Sequence, residues 1–397
     1  ILPGVARPGR DDRPFFPLPM VNGLTLKGAE GGLTVFDADG ASGVMKIDNV
    51  RNAIVEDITI QNGSSDRGGG VYIRKSNPVF RNVAIKDNSA RKGGGVFIEQ
   101  SYARFENTEI KNNESNQGRG GGIFSTFSRI ELDSVYLYGN YANSENNSFG
   151  GGIFGFNTNM NIEGNTIIKN NTAAGTGFTY GGGICIFNSN PSNSVIIRDV
   201  NFSENVAWFG GAVAIMNSSG LIDYVLISNN TAQHAGGIWL RDANPFITNC
   251  TIYNNSAEAS GGEGGGILFQ GNDFYNDELS IINTILWYNY PDQIGVHGVA
   301  RALEVVHSTI MGDTLGVVDY LGYDPIFHWE NNQFSDPLFV NADSSDFQLS
   351  EYSPCIDAGT AYYTSVFIDS VLVNIPEDEH LGNAPDMGAL ESPYEGT

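Results

Sequence analysis

Eight residues stand immediately before a recurring glycine signal: Arg67, Lys92, Arg119, Phe149, Tyr180, Phe209, His234 and Glu263. Three cations are followed by three aromatics, then by an imidazole and a carboxylate. Guanidinium and ammonium groups pair with carboxylates or sulfates, and aromatic faces pack against the apolar faces of rings. Lys92 and Arg119 are neighbouring cations in this series, and Lys92 is a candidate for proton transfer. His234 and Tyr180 are further choices for proton transfer. The competing account is that solvated loop ends share a position without sharing a task. Three cations in one column stand out in a chain with 45 acidic and 21 basic residues and a formal charge of −24.

What must position this column is a repeat. The signals are GGGVYI at Gly68, GGGVFI at Gly93, GGGIFS at Gly120, GGGIFG at Gly150, GGGICI at Gly181, GGAVAI at Gly210, AGGIWL at Ala235 and GGGILF at Gly264, spaced 25 to 31 residues apart. A second column runs in step: Asn88, Asn113, Asn140, Asn171, Asn205, Asn230, Asn255 and Asn289 each lie three residues after Ile, Leu or Phe. A near-fixed period of this size marks a solenoid whose units bury their apolar faces by stacking. Apolar–polar alternation in runs such as PVFRNVAI at Pro78 argues for strands. A propeller blade needs about 40 residues per repeat, and the leucine-rich consensus is absent.

The expected fold is therefore all-β, a right-handed parallel β-helix of about ten to twelve coils with a C-terminal cap. Stacked coils sit about 4.8 Å apart, so the asparagines should form an inward ladder, each bond contributing about 0.5–1.5 kcal/mol. The glycines and asparagines are read as structural first. The expected organisation is N-terminal coils over 1–63, regular coils over 64–289, and last coils plus cap over 290–397.

A further column reads Tyr72, Phe97, Phe124, Phe154, Cys185, Ala214, Trp239 and Leu268. If Val71 and Ile73 point inward, it points outward. It would be either a sugar platform, with Trp239 its largest member, or an aromatic stack packed under loops; the second is favoured. Variable segments between each Asn and the next glycine signal, long at 141–149, 172–180 and 256–263, map to one face, where binding is expected.

The acidic balance disfavours nucleic acid as a partner, and no apolar run reaches membrane-spanning length. Cys185, Cys250 and Cys355 form no disulfide framework or zinc spacing and read as buried small hydrophobes. No cofactor is assigned. Calcium is open at Asp37 in DADG or near Glu377 in PEDE, although no G-G-x-G-x-D repeat occurs. The chain opens in a strand-like ILPGV, so an upstream segment is expected.

The ending carries a resemblance. DPLFV, DFQL, SPCIDAG and DMGALE, in that order, resemble the close of many secreted bacterial right-handed β-helix proteins of the pectate-lyase-like superfamily. The N-x-x-I-x-x-N and GGGI repeats resemble the same family. This implies export and an extracellular or cell-surface location. The family includes lyases, hydrolases and proteins without known activity. The paired motifs of pectin-hydrolysing β-helices do not occur in series here, which favours a lyase over a glycoside hydrolase if the chain is an enzyme.

Together these readings give a secreted or surface β-helix, expected as a monomer, that binds polysaccharide along a loop-side groove. Arg67, Phe149, Phe209, Glu263 and Trp239 are its binding candidates; Lys92, Arg119, His234 and Tyr180 are its catalytic ones. The alternatives are a lyase acting on an acidic glycan by β-elimination, and a structural adhesin for a protein partner.

Overall fold

The computed structural model describes residues 4–7, 16–29, 31, 33–188, 195–258, 261–271, 277–298, 302–322 and 326–396. The chain forms two units, residues 1–195 with 204–214, and residues 196–203 with 215–397.

In the first unit each coil carries three strand segments and a loop arm. The strand after the glycine signal pairs in parallel with its equivalents: Met45 with Val71, Val71 with Val96, Val96 with Ile123, and Ile123 with Ile153. A second face aligns Ile54, Val79, Arg104 and Glu131. A third aligns Thr59, Ala84, Glu109 and Tyr136. Alternate residues such as Val71, Ile73, Phe80, Ile85, Val96 and Ile98 are fully buried, so the period-2 pattern points one set of side chains inward.

Between the strands the chain turns at residues with positive φ. One corner uses Asp57, Asn82 and Asn107, and another uses Asp87, Asn112 and Asn170. Asn and Asp are the non-glycine residues that tolerate this region best, which accounts for much of the Asn content outside the buried ladder.

The buried ladder is continuous within each unit. Nδ2 of Asn88 donates to Oδ1 of Asn113 at 2.9 Å, Asn113 to Asn140 at 3.0 Å, Asn140 to Asn171 at 2.9 Å and Asn171 to Asn205 at 3.0 Å. In the second unit Asn230 donates to Asn255 and Asn255 to Asn289, both at 2.9 Å. Asn289 then donates to Oε1 of Gln293 at 2.8 Å.

The three glycines of the signal have three separate reasons. Gly93 has φ of 63°. A Cβ on Gly94 would lie 2.4 Å from the carbonyl oxygens of Glu114 and Gly121. A Cβ on Gly95 would lie 2.8 Å from Gly122 O and 3.0 Å from the Asn113 amide. The third glycine is thus the space into which the ladder fits.

The second unit repeats the plan. Ile238, Ile267, Ile294 and Val317 align on the first face, and Phe246, Ser280, Glu304 and His328 on the second. Its C-terminal segment folds back along the flank where the second and third faces meet. Met387 and Cys355 pack with Ile285 and Trp287, and Val373 and Ile375 with Ile282 and Val306. Asp386 accepts from Asp357 N and Ser392 N, and Glu391 from Leu381 N and Asp386 N. The SPCIDAG and DMGALE motifs are therefore docking elements. All three cysteines are free and buried.

Candidate functional site: the loop-arm column

The backbone pins the column that precedes the glycines. Gly68 N donates to Lys92 O at 3.1 Å, Gly93 N to Arg119 O at 2.8 Å, Gly120 N to Phe149 O at 2.9 Å, Gly150 N to Tyr180 O at 2.8 Å and Gly181 N to Phe209 O at 2.9 Å. Lys92 also pairs with Arg67 in the parallel register of the loop arm. Six residues, Arg67, Lys92, Arg119, Phe149, Tyr180 and Phe209, thus stand on successive coils of the first unit.

Their electrostatics differ. Arg67 lies 3.7 Å from Asp66 and 3.9 Å from Glu99, with its guanidinium 5.3 Å from the Phe97 ring centroid. Lys92 and Arg119 form no ion pair among the described residues. Burial, then the charges of Arg119 and Arg67, hold the Lys92 ammonium below the ordinary lysine range. The Arg119 guanidinium sits 5.9 Å from the Phe149 ring. From there the rings stack, Phe149 on Tyr180 at 5.2 Å and Tyr180 on Phe209 at 5.5 Å.

Two aromatics that sequence reasoning passed over extend this stack to solvent. Phe178 is 51% exposed and Trp208 is 40% exposed, with their rings edge-on at 5.8 Å. Phe178 also contacts Phe209 at 5.8 Å. The available signal was the doublet Trp208–Phe209 and the FTY triplet ending the 172–180 insertion. Beside Arg67, a groove of about 580 Å³ opens over Lys46, Asp48, Tyr72 and Arg74.

The outward column after the glycines is not a surface platform. Phe97, Phe124 and Phe154 are 2%, 6% and 1% exposed. Tyr72 stacks on Phe97 at 5.5 Å, and Phe149 lies over Phe154 at 5.0 Å. Trp239, in the second unit, is 1% exposed. The expectation that Trp239 binds at the surface is therefore corrected: although its position points out of the coil, it is sealed from solvent.

His234 and Glu263 belong to the second unit, apart in the chain's organisation from Lys92 and Arg119. Ala235 N donates to Glu263 O at 2.9 Å, which sets them on adjacent coils. Glu263 Oε2 lies 3.4 Å from His297 Nδ1, and the Tyr320 hydroxyl donates to Asp292 Oδ2. Burial lowers the His234 pKa and raises those of Asp292 and Tyr320. His297, Asp292 and Tyr320 carried no sequence signal, because they follow the last regular repeat.

The DADG turn does not offer Asp37 to calcium. Its carboxylate, on a residue 2% exposed, accepts from Asp39 N at 3.0 Å, Asn62 Nδ2 at 3.0 Å and Gln61 Nε2 at 3.2 Å, and meets Arg7 at 3.3 Å. Those donors occupy the lone pairs a cation would use. No group of three or more His, Cys, Asp or Glu suited to a metal occurs among the described residues, the Glu377 turn included.

The coils define the class: an all-β, right-handed parallel β-helix. A family model described as "Right handed beta helix region" matches residues 190–337. No curated protein matches the chain. Among solved structures, the "Crystal structure of pectate lyase Pel9A" is similar at 15% identity and a TM-score of 0.41, over 98% of this chain and 87% of that one. No helix among the described residues is long and apolar enough to cross a membrane.

Proposed function

We propose that the loop-arm column binds an acidic polysaccharide, and that the protein acts outside the cell or on its surface. One observation carries this reading. Lys92 and Arg119, cations without ion pairs among the described residues of a chain of charge −24, stand in register with Phe149, Tyr180 and Phe209, and Phe178 and Trp208 extend the rings into solvent. Uronic or sulfated sugars carry both partners such a track needs, an anionic group and an apolar ring face. Coil spacing of about 4.8 Å presents one side chain per step, so contacts add along an extended chain.

A second reading, β-elimination, rests on Lys92. An amine whose ammonium is destabilised by burial and by Arg119 and Arg67 is a better proton acceptor than an ordinary lysine. Arg119 would hold the uronate carboxylate while Lys92 takes the C5 proton. The electron pair forms the C4–C5 double bond and the glycosidic oxygen at C4 leaves, to be protonated from water or Tyr180.

Titration calorimetry with polygalacturonate, alginate and chondroitin sulfate tests the first reading. At least one should bind, and the Lys92→Ala/Arg119→Ala double variant should lose that binding. Retained affinity in the double variant sinks the proposal. Ultraviolet absorbance of an unsaturated product on the same substrates decides between binding and lysis.

A further inference from the structure

The first unit has a larger groove, of about 1040 Å³, at the corner between its first and second faces. Arg51, Lys75, Gln100, Tyr102, Phe127 and Arg129 line it. It does not include any residue of the loop-arm column.

The corner carries long side chains on three successive coils. Its residues take positive φ on every coil: Asn49 at 57°, Lys75 at 48°, Gln100 at 49°, Phe127 at 49° and Asn157 at 49°. Asn and Asp predominate at all three corners, and Tyr224 and Tyr288 show that a bulky residue also occurs at the other two. Folding alone explains Asn49 and Asn157. Lys75, Gln100 and Phe127 between them are costlier choices at positive φ, and Phe127 is only partly accounted for by its edge-on contact with Phe156 at 5.8 Å. Such strain gathers at ligand sites, where another requirement outweighs it.

The surroundings indicate that requirement. Phe127 is 60% exposed, an apolar face turned to solvent. Arg51 and Lys75 form no ion pair among the described residues. Arg129, by contrast, is neutralised: it reaches Glu131 at 2.6 Å and lies over the Tyr102 ring at 5.2 Å, while the Tyr102 hydroxyl donates to Glu131 at 2.6 Å. That triad makes a firm wall. Beneath it runs a staircase in which Ser76 N donates to Ser101 Oγ, and Ser101 N to Ser128 Oγ, each at 3.1 Å. The floor is held rigid and the charges above it are left open.

We propose that this groove is a second binding site, for an acidic oligosaccharide lying along the coil axis. Its carboxylates or sulfates meet Arg51 and Lys75, and a ring face rests on Phe127. Coils about 4.8 Å apart supply one contact per step, with Gln100 and Asn157 offering hydrogen bonds to hydroxyls. Single-stranded nucleic acid would need a row of aromatic platforms for successive bases, whereas Arg129 already covers the Tyr102 ring and Phe127 is left as the groove's open ring. The inference does not depend on the loop-arm reading.

The test uses the full chain carrying Lys92→Ala/Arg119→Ala, which removes the loop-arm cations. Oligogalacturonate, oligoalginate and heparin oligosaccharides are titrated by calorimetry. Binding of one of them should persist and should weaken about tenfold, equivalent to about 1.4 kcal/mol, on adding Phe127→Asn. Lys75→Asn should act similarly. Asn suits the corner, so neither change should lower Tm, which separates lost binding from lost folding. Failure of all three probes to bind overturns the proposal. So does unchanged affinity in both variants, or preference for single-stranded RNA over every glycan.

Discussion

Lys92 stands in parallel register with Arg67, yet among the described residues only Arg67 forms ion pairs, with Asp66 and Glu99. With Arg119 on the next coil, Lys92 is an ammonium between two guanidiniums, and its pKa is lowered. The unfolded chain holds that proton more tightly than the folded one, so the group opposes folding at neutral pH. The opposition lifts as pH rises through the folded pKa toward the unfolded value of 10.5. Lys92→Met should therefore raise stability at neutral pH, by about 1 kcal/mol or less given partial exposure, while weakening glycan binding. Urea melts of both proteins across that pH range should converge at the alkaline end. A Lys92→Met protein that is less stable at neutral pH would refute the electrostatic account.

The exposed rings give a direct reporter. Trp208 is 40% exposed, while Trp239 and Trp287 are 1% and 7% exposed. Stacking of a sugar on Trp208 should change tryptophan emission, and Trp208→Phe should abolish the change. Trp208→Ala and Phe178→Ala should each weaken binding about tenfold with Tm nearly unchanged, because both rings face solvent. An emission change that survives in Trp208→Phe would place the ligand elsewhere.

The repeat was legible because Gly93–Gly95 and Asn113 answer to one geometric constraint that recurs on most coils, with Ala212 and Ala235 as exceptions. The Asn amide fills the space that a side chain on the third glycine would take. The stacked column Arg67 to Phe209 was legible for the same reason, since each following glycine N–H fixes it. Trp239 misled because alternation tells which way a side chain leaves the strand, not what lies over it. The Arg51–Lys75–Phe127 groove was missed because it depends on backbone φ at a corner. Lys, Gln and Phe there read as ordinary loop residues until their conformation is known.

The ladder sets the stability of the first unit. Asn113 is fully buried; it donates to Ile85 O at 2.9 Å and Asn140 Oδ1 at 3.0 Å, and accepts from Asn88 N at 3.1 Å and Asn88 Nδ2 at 2.9 Å. Asn113→Ala removes four hydrogen bonds; Asn140 Oδ1 keeps Asn113 N and Asn88 Nδ2 keeps Ile60 O, but Ile85 O and Asn88 N lose this partner. At about 1–3 kcal/mol for each of these two groups, the loss should be about 2–6 kcal/mol. Denaturant unfolding should show it as a lower midpoint, and Asn113→Asp should not restore it, since a carboxylate lacks the two donors.

Thiol chemistry offers a check on the second unit. Cys250 and Cys355 are fully buried, and burial pushes the Cys355 thiol up to about 11. A buried, protonated thiol is inert. Native protein should give no reaction with an aromatic disulfide reagent at neutral pH, and full reaction in denaturant. Rapid native labelling of Cys355 would mean that the SPCIDAG segment opens without global unfolding.

Asp386 and Glu391 make the docking of that segment pH-sensitive. Burial raises both carboxyl pKa values, above the ordinary 3.8 and 4.5. The folded state keeps these protons where the unfolded chain has lost them, so their contribution to stability is full below the unfolded values and falls as pH rises through the folded ones. Asp386→Asn removes one charge but leaves a single oxygen for two donors, Asp357 N at 2.9 Å and Ser392 N at 2.7 Å. That mismatch should cost about 1–3 kcal/mol at neutral pH, while the fall in stability across the acidic range becomes shallower. Trp239, Trp287 and Trp329 all lie in the second unit, so tryptophan-monitored urea melts between acidic and neutral pH measure both effects. An Asp386→Asn protein with wild-type stability at every pH would show that the DMGALE carboxylate does not hold the segment in place.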